Sequence, residues 1–184
     1  MIDEVLDYIR REVRDYLGIG NTEAMLVALH NMKDDNNSPG VYISLVNIEE
    51  ETALKNASHY IRQNNQVQYK EPPVFLNLYV LFAFEMADYA ASLQALSSTI
   101  ELFQGKRVYS PANENPGNPF PANLEKLVFD FHNLNLEQLN HLWGIQGGAY
   151  FPCAMYKVRL VKVQRDEQLA GPEISTITVD TVVN

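Results

Sequence analysis

The chain has 184 residues, a formal net charge of −9, one cysteine and four histidines. Its length suits one domain with a core large enough to need no staples, and a single thiol excludes an internal disulfide. The acidic balance argues against nucleic acid or an anionic membrane surface as a partner.

Met1-Ile2-Asp3-Glu4 does not start a basic region followed by an apolar one, so no secretory signal is expected. No apolar run is long enough for a transmembrane helix, and synthesis and folding in the cytoplasm are expected. Ile2, Val5, Leu6, Ile9, Val13, Tyr16 and Leu17 recur at three- and four-residue spacing, one face of a helix that Gly18 stops. Arg10, Arg11 and Arg14 alternate with acids on the other face, which is either solvated or a subunit contact. Residues 24–29 read as a short buried strand and 31–40 as a polar turn. Residues 41–48 read as a second strand, and the two are expected to form a hairpin. Residues 60–69 are polar, with a short edge strand expected near Val67.

The run Pro72-Pro73-Val74-Phe75-Leu76-Asn77-Leu78-Tyr79-Val80-Leu81-Phe82-Ala83-Phe84 is almost wholly apolar. Prolines belong at a strand entrance because they cannot donate to a ladder. The run therefore reads as a central strand buried on both faces, with Tyr79 and Phe82 on opposite sides. Asn77 within it must find partners and is expected to tie the sheet to a loop. Asp88 then opens a helix over 89–104, with Tyr89, Leu93, Leu96, Ile100 and Phe103 as its apolar stripe and Gly105 as its end. Residues 110–123 hold four prolines and four asparagines without periodicity, a long loop of the kind that is often functional. Residues 127–131 read as a strand. Asn135 and Gln138 have capping-box spacing, opening a short helix whose buried face is Leu136, Leu139, Leu142 and Trp143. Residues 154–163 read as a long strand, 164–172 as a loop, and 174–183 as a terminal strand or arm. The expected fold is one α/β (α+β) domain over 1–184, with a mixed, mainly antiparallel sheet flanked by helices and a C-terminal strand or arm at 172–184.

Recognisable chemistry is sparse. There is no P-loop, no GxSxG and no HExxH, and Gly18-Ile19-Gly20 and Gly144-Ile145-Gln146-Gly147-Gly148 miss the dinucleotide fingerprint. The histidines lack metal-ligand spacing, and Cys153 reads as an inert thiol in a strand. No catalytic residue, metal or cofactor is expected.

Four blocks together resemble a known family: Glu50-Glu51-Thr52-Ala53-Leu54-Lys55-Asn56 after a strand, the proline-led run 72–84, Asn135-Leu136-Glu137-Gln138-Leu139-Asn140-His141-Leu142-Trp143-Gly144, and Cys153-Ala154-Met155-Tyr156-Lys157-Val158-Arg159-Leu160-Val161. The family is the cap, or tail-terminator, proteins of extracellular contractile injection systems, phage-tail-like particles of the antifeeding-prophage and virulence-cassette type. The resemblance covers residues 2–163, although Val80 and Phe82 stand where the family often has a more polar, Tyr-rich core strand.

The resemblance implies a tail-terminator-like fold in a structural protein, not an enzyme. It further implies a ring, usually of six subunits, that ends polymerisation of the inner tube and sheath and joins them. The implied partners are other copies of this chain, sheath subunits and inner-tube subunits, assembled in the cytoplasm into a particle that is released or anchored. Alternatives are an adaptor elsewhere in a phage-tail or type VI-like assembly, and a small-ligand enzyme with an unrecognised site. Candidate interface residues are Arg10, Arg11 and Arg14 on the first helix, Tyr109, Asn113, Asn115 and Phe120 in and beside the long loop, and Ile174, Thr176, Thr178 and Val179 near the carboxy end.

Overall fold

The proline-led run forms β5 (Val74–Glu85), and its alternation sets the architecture. Leu78, Val80, Phe82 and Phe84 face one side and Leu81 and Ala83 the other, all six buried, with Tyr79 on the second side. In the computed structural model, residues 1–32, 38–52, 60–63, 66–69, 73–144, 150–163 and 169–170 are described.

β5 is flanked by β2 (Gly40–Glu50) and β8 (Cys153–Val163), antiparallel to both. The sheet continues through β7 (Leu127–His132) to the short β6 (Val108–Tyr109), and on the other side to β1 (Ala24–Leu26). Only the β1–β2 pair is parallel, so the sheet is mixed and mainly antiparallel.

That parallel pair corrects the hairpin expected between these two strands. A 3-10 turn, Leu29–Asn31, follows β1, and β2 begins alongside the start of β1, Ala24 opposite Val41. Val41 N–H donates to Glu23 O at 2.7 Å and Val27 N–H to Ile43 O at 3.0 Å. Gly40 permits the approach: a Cβ there would lie 2.1 Å from Glu23 O.

Helices α1 (Ile2–Leu17) and α2 (Tyr89–Gly105) cover one face of the sheet. Gly18 ends α1 in the left-handed region at φ 65°, as its position in the sequence suggests. Asp88 caps α2 by accepting from Ala91 N–H at 2.7 Å. Of the expected stripe of α2, Phe103 is buried and Leu96 and Ile100 pack partly buried against the core, but the fully buried side is otherwise different. It is Ser92, Ala95, Thr99, Leu102 and Phe103, while Tyr89 and Leu93 are exposed. Small residues there let the helix lie close on the sheet, and Thr99 satisfies its hydroxyl within the helix by donating to Ala95 O at 2.9 Å. On α1, Tyr16 is exposed and Tyr8 takes the buried place.

The core on this side is aromatic. Phe103 stacks on Phe129 with centroids 4.4 Å apart, and Phe82, Tyr109 and Tyr156 pack around Phe103. On the opposite face, α3 (Leu136–Gly144) packs over a smaller cluster and leaves part of the sheet open. Its capping box forms as expected: Gln138 N–H donates to Asn135 Oδ1 and Asn135 N–H to Gln138 Oε1. Leu142 and Trp143 are buried, but Leu136, expected in the core, is the first residue of the helix and is 85% exposed.

A second sheet has the order β3 (Tyr60–Gln63), β4 (Gln66–Tyr69), β9 (Leu169–Ala170). Val67 therefore lies on a central strand, not an edge, and the expected loop 164–172 contains a strand that pairs with it. The expected arm at 174–183 lies outside the described residues.

Candidate interface

The arginine face of α1 and the long loop meet. Asn118, at the loop's inner end, is fully buried although its neighbours are exposed. Its amide accepts from Arg11 Nε at 2.7 Å and donates to Tyr8 O at 3.2 Å and to Glu12 Oε1 at 2.7 Å. Glu12, only 7% exposed, thus has a partner for its buried carboxylate. Asp7 binds both Arg10 and Arg11 at 2.8 Å, and Arg14 pairs with Asp15 at 2.6 Å and with Asn21. The three arginines are therefore held by local acids and amides.

The loop is bonded within itself. Asn113 Nδ2 donates to Val108 O at 2.7 Å while its Oδ1 accepts from Ser110 N–H at 2.9 Å. Asn115 Oδ1 accepts from Gly117 N–H, Lys106 Nζ donates to Asn113 O, and Phe120 N–H donates to Glu114 Oε2. The asparagines named as candidate contacts spend much of their hydrogen-bonding capacity on the loop's own shape. Tyr109 and Phe120 are core residues, 0% and 6% exposed, with Tyr8 edge-on to both. Their rings are not available as surface. Burial, followed by the charge of Glu12, pushes the Tyr8 and Tyr109 hydroxyls far above the usual phenol range. Ile174, Thr176, Thr178 and Val179 lie outside the described residues.

Other features of the surface gave no sequence signal. On the face that α3 only half covers, Tyr79 OH donates to Glu49 Oε2 at 2.7 Å, and Lys157 Nζ donates to the same oxygen at 3.2 Å. The hydrogen bond from Tyr79, then that from Lys157, holds the Glu49 carboxyl below its usual range. Asp130 binds Arg107, and Arg159 at 2.8 Å. Between this belt and α3 lies an open groove of about 510 Å3, lined by Val46, Tyr79, His132, Gln138, His141 and Met155 among others. Asn77 is buried and its amide donates to Glu51, tying the central strand to the end of β2 as expected. Cys153 is half-buried, and burial pushes its thiol up. Among the described residues, no group of three or more His, Cys, Asp or Glu side chains is placed to hold a metal, and no helix is long and apolar enough to cross a membrane.

The mixed sheet, with α1 and α2 on one face and α3 on the other, has counterparts among solved structures. The structure matches the sheath/tube terminator of an extracellular contractile injection system, PVC, in its extended state, with a TM-score of 0.67 and 18% identity over 100% of this chain. It also matches the tube terminating cap of the anti-feeding prophage, with a TM-score of 0.67 and 14% identity over 98% of this chain. The chain spans 64% and 61% of those two proteins, less than two thirds of either. A family model described as the Pvc16 N-terminal domain matches residues 4–176, and the chain belongs to that family. No curated protein matches it.

Proposed function

We propose that this chain is a structural cap subunit that terminates the inner tube and sheath of a contractile injection system. The observation that carries the reading is the shared fold along the whole chain with two proteins described as terminators of such particles. Membership of the Pvc16 N-terminal domain family supports it independently of the fold.

In this role the subunit meets copies of itself head to tail, and only a rotation that closes gives a ring rather than an open filament. Six copies suit the resemblance noted in the sequence. The ring sits on the last layer of tube and sheath, stops further addition and joins the two layers, with no chemical step. Assembly takes place in the cytoplasm. The surfaces available for these contacts are the rim of the 110–123 loop, whose shape is set by internal bonds and costs little entropy to dock, and the half-open face with the ion-pair belt. Light scattering of the isolated protein over a range of concentrations, with co-purification of sheath subunits, tests this. A closed oligomer that retains sheath supports the reading, and a monomer at all concentrations that retains none overturns it.

A further inference from the structure

The main sheet is divided by charge. Its strand order is β1-β2-β5-β8-β7-β6. On the side of β1, β2 and β5, together with α2, the described residues 18–32, 38–52 and 73–105 carry seven acids and no lysine or arginine. On the side of β8, β7 and β6, residues 106–110, 124–132 and 153–163 carry six cations and only two acids. The bond from Lys157 on β8 to Glu49 on β2 spans the boundary. The charges further out face solvent. At the acidic edge Glu23 and Glu50 are exposed, and Glu23 accepts from a neutral donor, Gly20 N–H, at 2.7 Å. At the basic edge Arg107 and Arg159 share the single carboxylate of Asp130, which leaves positive charge in excess. Lys126 is exposed there, with no acid paired to it among the described residues. Each edge also holds exposed apolar side chains, Val108 on the basic one and Leu26 and Ile48 on the acidic one.

We infer that the β6–β7 edge of one copy docks on the β1–β2 edge of a second copy, its cations taking that copy's carboxylates. Charge complementarity chooses both the occupant and its orientation. Two like edges brought together would set cation against cation or acid against acid, and such juxtaposition opposes binding. Opposite edges attract, and they belong to the same chain, so every copy offers both halves of the contact. A contact between two different patches of one surface is heterologous, the kind that closes into a ring when its rotation allows. The chain as a whole stands at −9, so copies repel unless the basic strip is what they present to one another. The inference names the surfaces that neighbouring copies share; it deepens the proposed cap role and rests on it.

Charge reversal in the full chain tests this. One population carries Arg107→Glu with Lys126→Glu, so that both of its edges are acidic. The other carries Glu23→Lys with Glu50→Lys, which makes both edges basic. Thermal unfolding checks that each variant is folded, and light scattering reads its assembly. Each population alone should associate at least several-fold more weakly than the wild type. A mixture of the two should recover association, and so should a single chain carrying all four substitutions. Wild-type association should weaken several-fold as salt is raised, because salt screens exposed charges. Association that is indifferent to salt and to either reversal, or a mixture that recovers nothing, overturns the inference. An oligomer that forms in spite of the reversals leaves the cap reading standing, as does a monomer that still retains sheath subunits, and in both cases this contact is removed.

Discussion

The two faces of the main sheet do different work. Under α1 and α2 the sheet meets a continuous aromatic core, in which Phe82, Phe103, Tyr109, Phe129 and Tyr156 pack against one another. On the other face a small cluster around Leu81, Leu142, Trp143 and Met155 ends at a groove, and the sheet beyond it carries exposed ion pairs. The difference teaches where stability is concentrated and where surface remains for partners. Close packing on one side fixes the fold, leaving the other side free to vary in chemistry without unfolding the chain.

The comparison is broken most directly by emptying the first face. Phe103→Ala removes the ring stacked on Phe129 and should cost about 3–5 kcal/mol in denaturant titrations. Leu142→Ala, on the smaller cluster, should cost about 2 kcal/mol. Equal losses at the two positions would mean that the faces share the load.

Asn118→Ala sharpens the comparison at the loop. It removes the amide that donates to the buried Glu12 carboxylate, and should cost about 1–3 kcal/mol. In the free wild-type chain the loop's internal bonds should make protease cutting within 110–123 slow, and the substitution should make it fast. Asp88→Ala removes a helix cap and should cost about 1 kcal/mol in the same titration.

The smallest effect lies on the open face. The folded-state value of Glu49 is below that of the unfolded chain. Its contribution to stability is therefore fully present above the unfolded glutamate range and lost as pH falls through the lower folded value. Glu49 is exposed, so salt screens the effect. NMR titration should show Glu49 protonating at lower pH than an unperturbed glutamate, and Tyr79→Phe should move it back up. A Glu49 that is unmoved by the loss of that hydroxyl would show that the belt does not act as a unit.

Features set by local rules were legible in the sequence. The periodicity of α1, the Asp88 cap, the Asn135–Gln138 capping box and the proline-led central strand depend on residues a few positions apart. The parallel pairing of β1 with β2 was not, because it depends on how the chain between them returns. Nor was the burial of Tyr8 and Glu12, whose place in the core is fixed by a loop more than a hundred residues away. The candidate interface shows the same division. The long loop was visible as a run of Pro and Asn. That Asn118 turns inward while its neighbours stay outside depends on contacts that no local pattern carries.

The proposed role as a cap is tested most directly by imaging particles assembled with and without this chain and measuring tube and sheath lengths. Without it, the account predicts tubes and sheaths of uncontrolled length with bare ends, restored to uniform length and a closed end when the chain is supplied. Particles of normal length and normal ends in its absence would contradict the account.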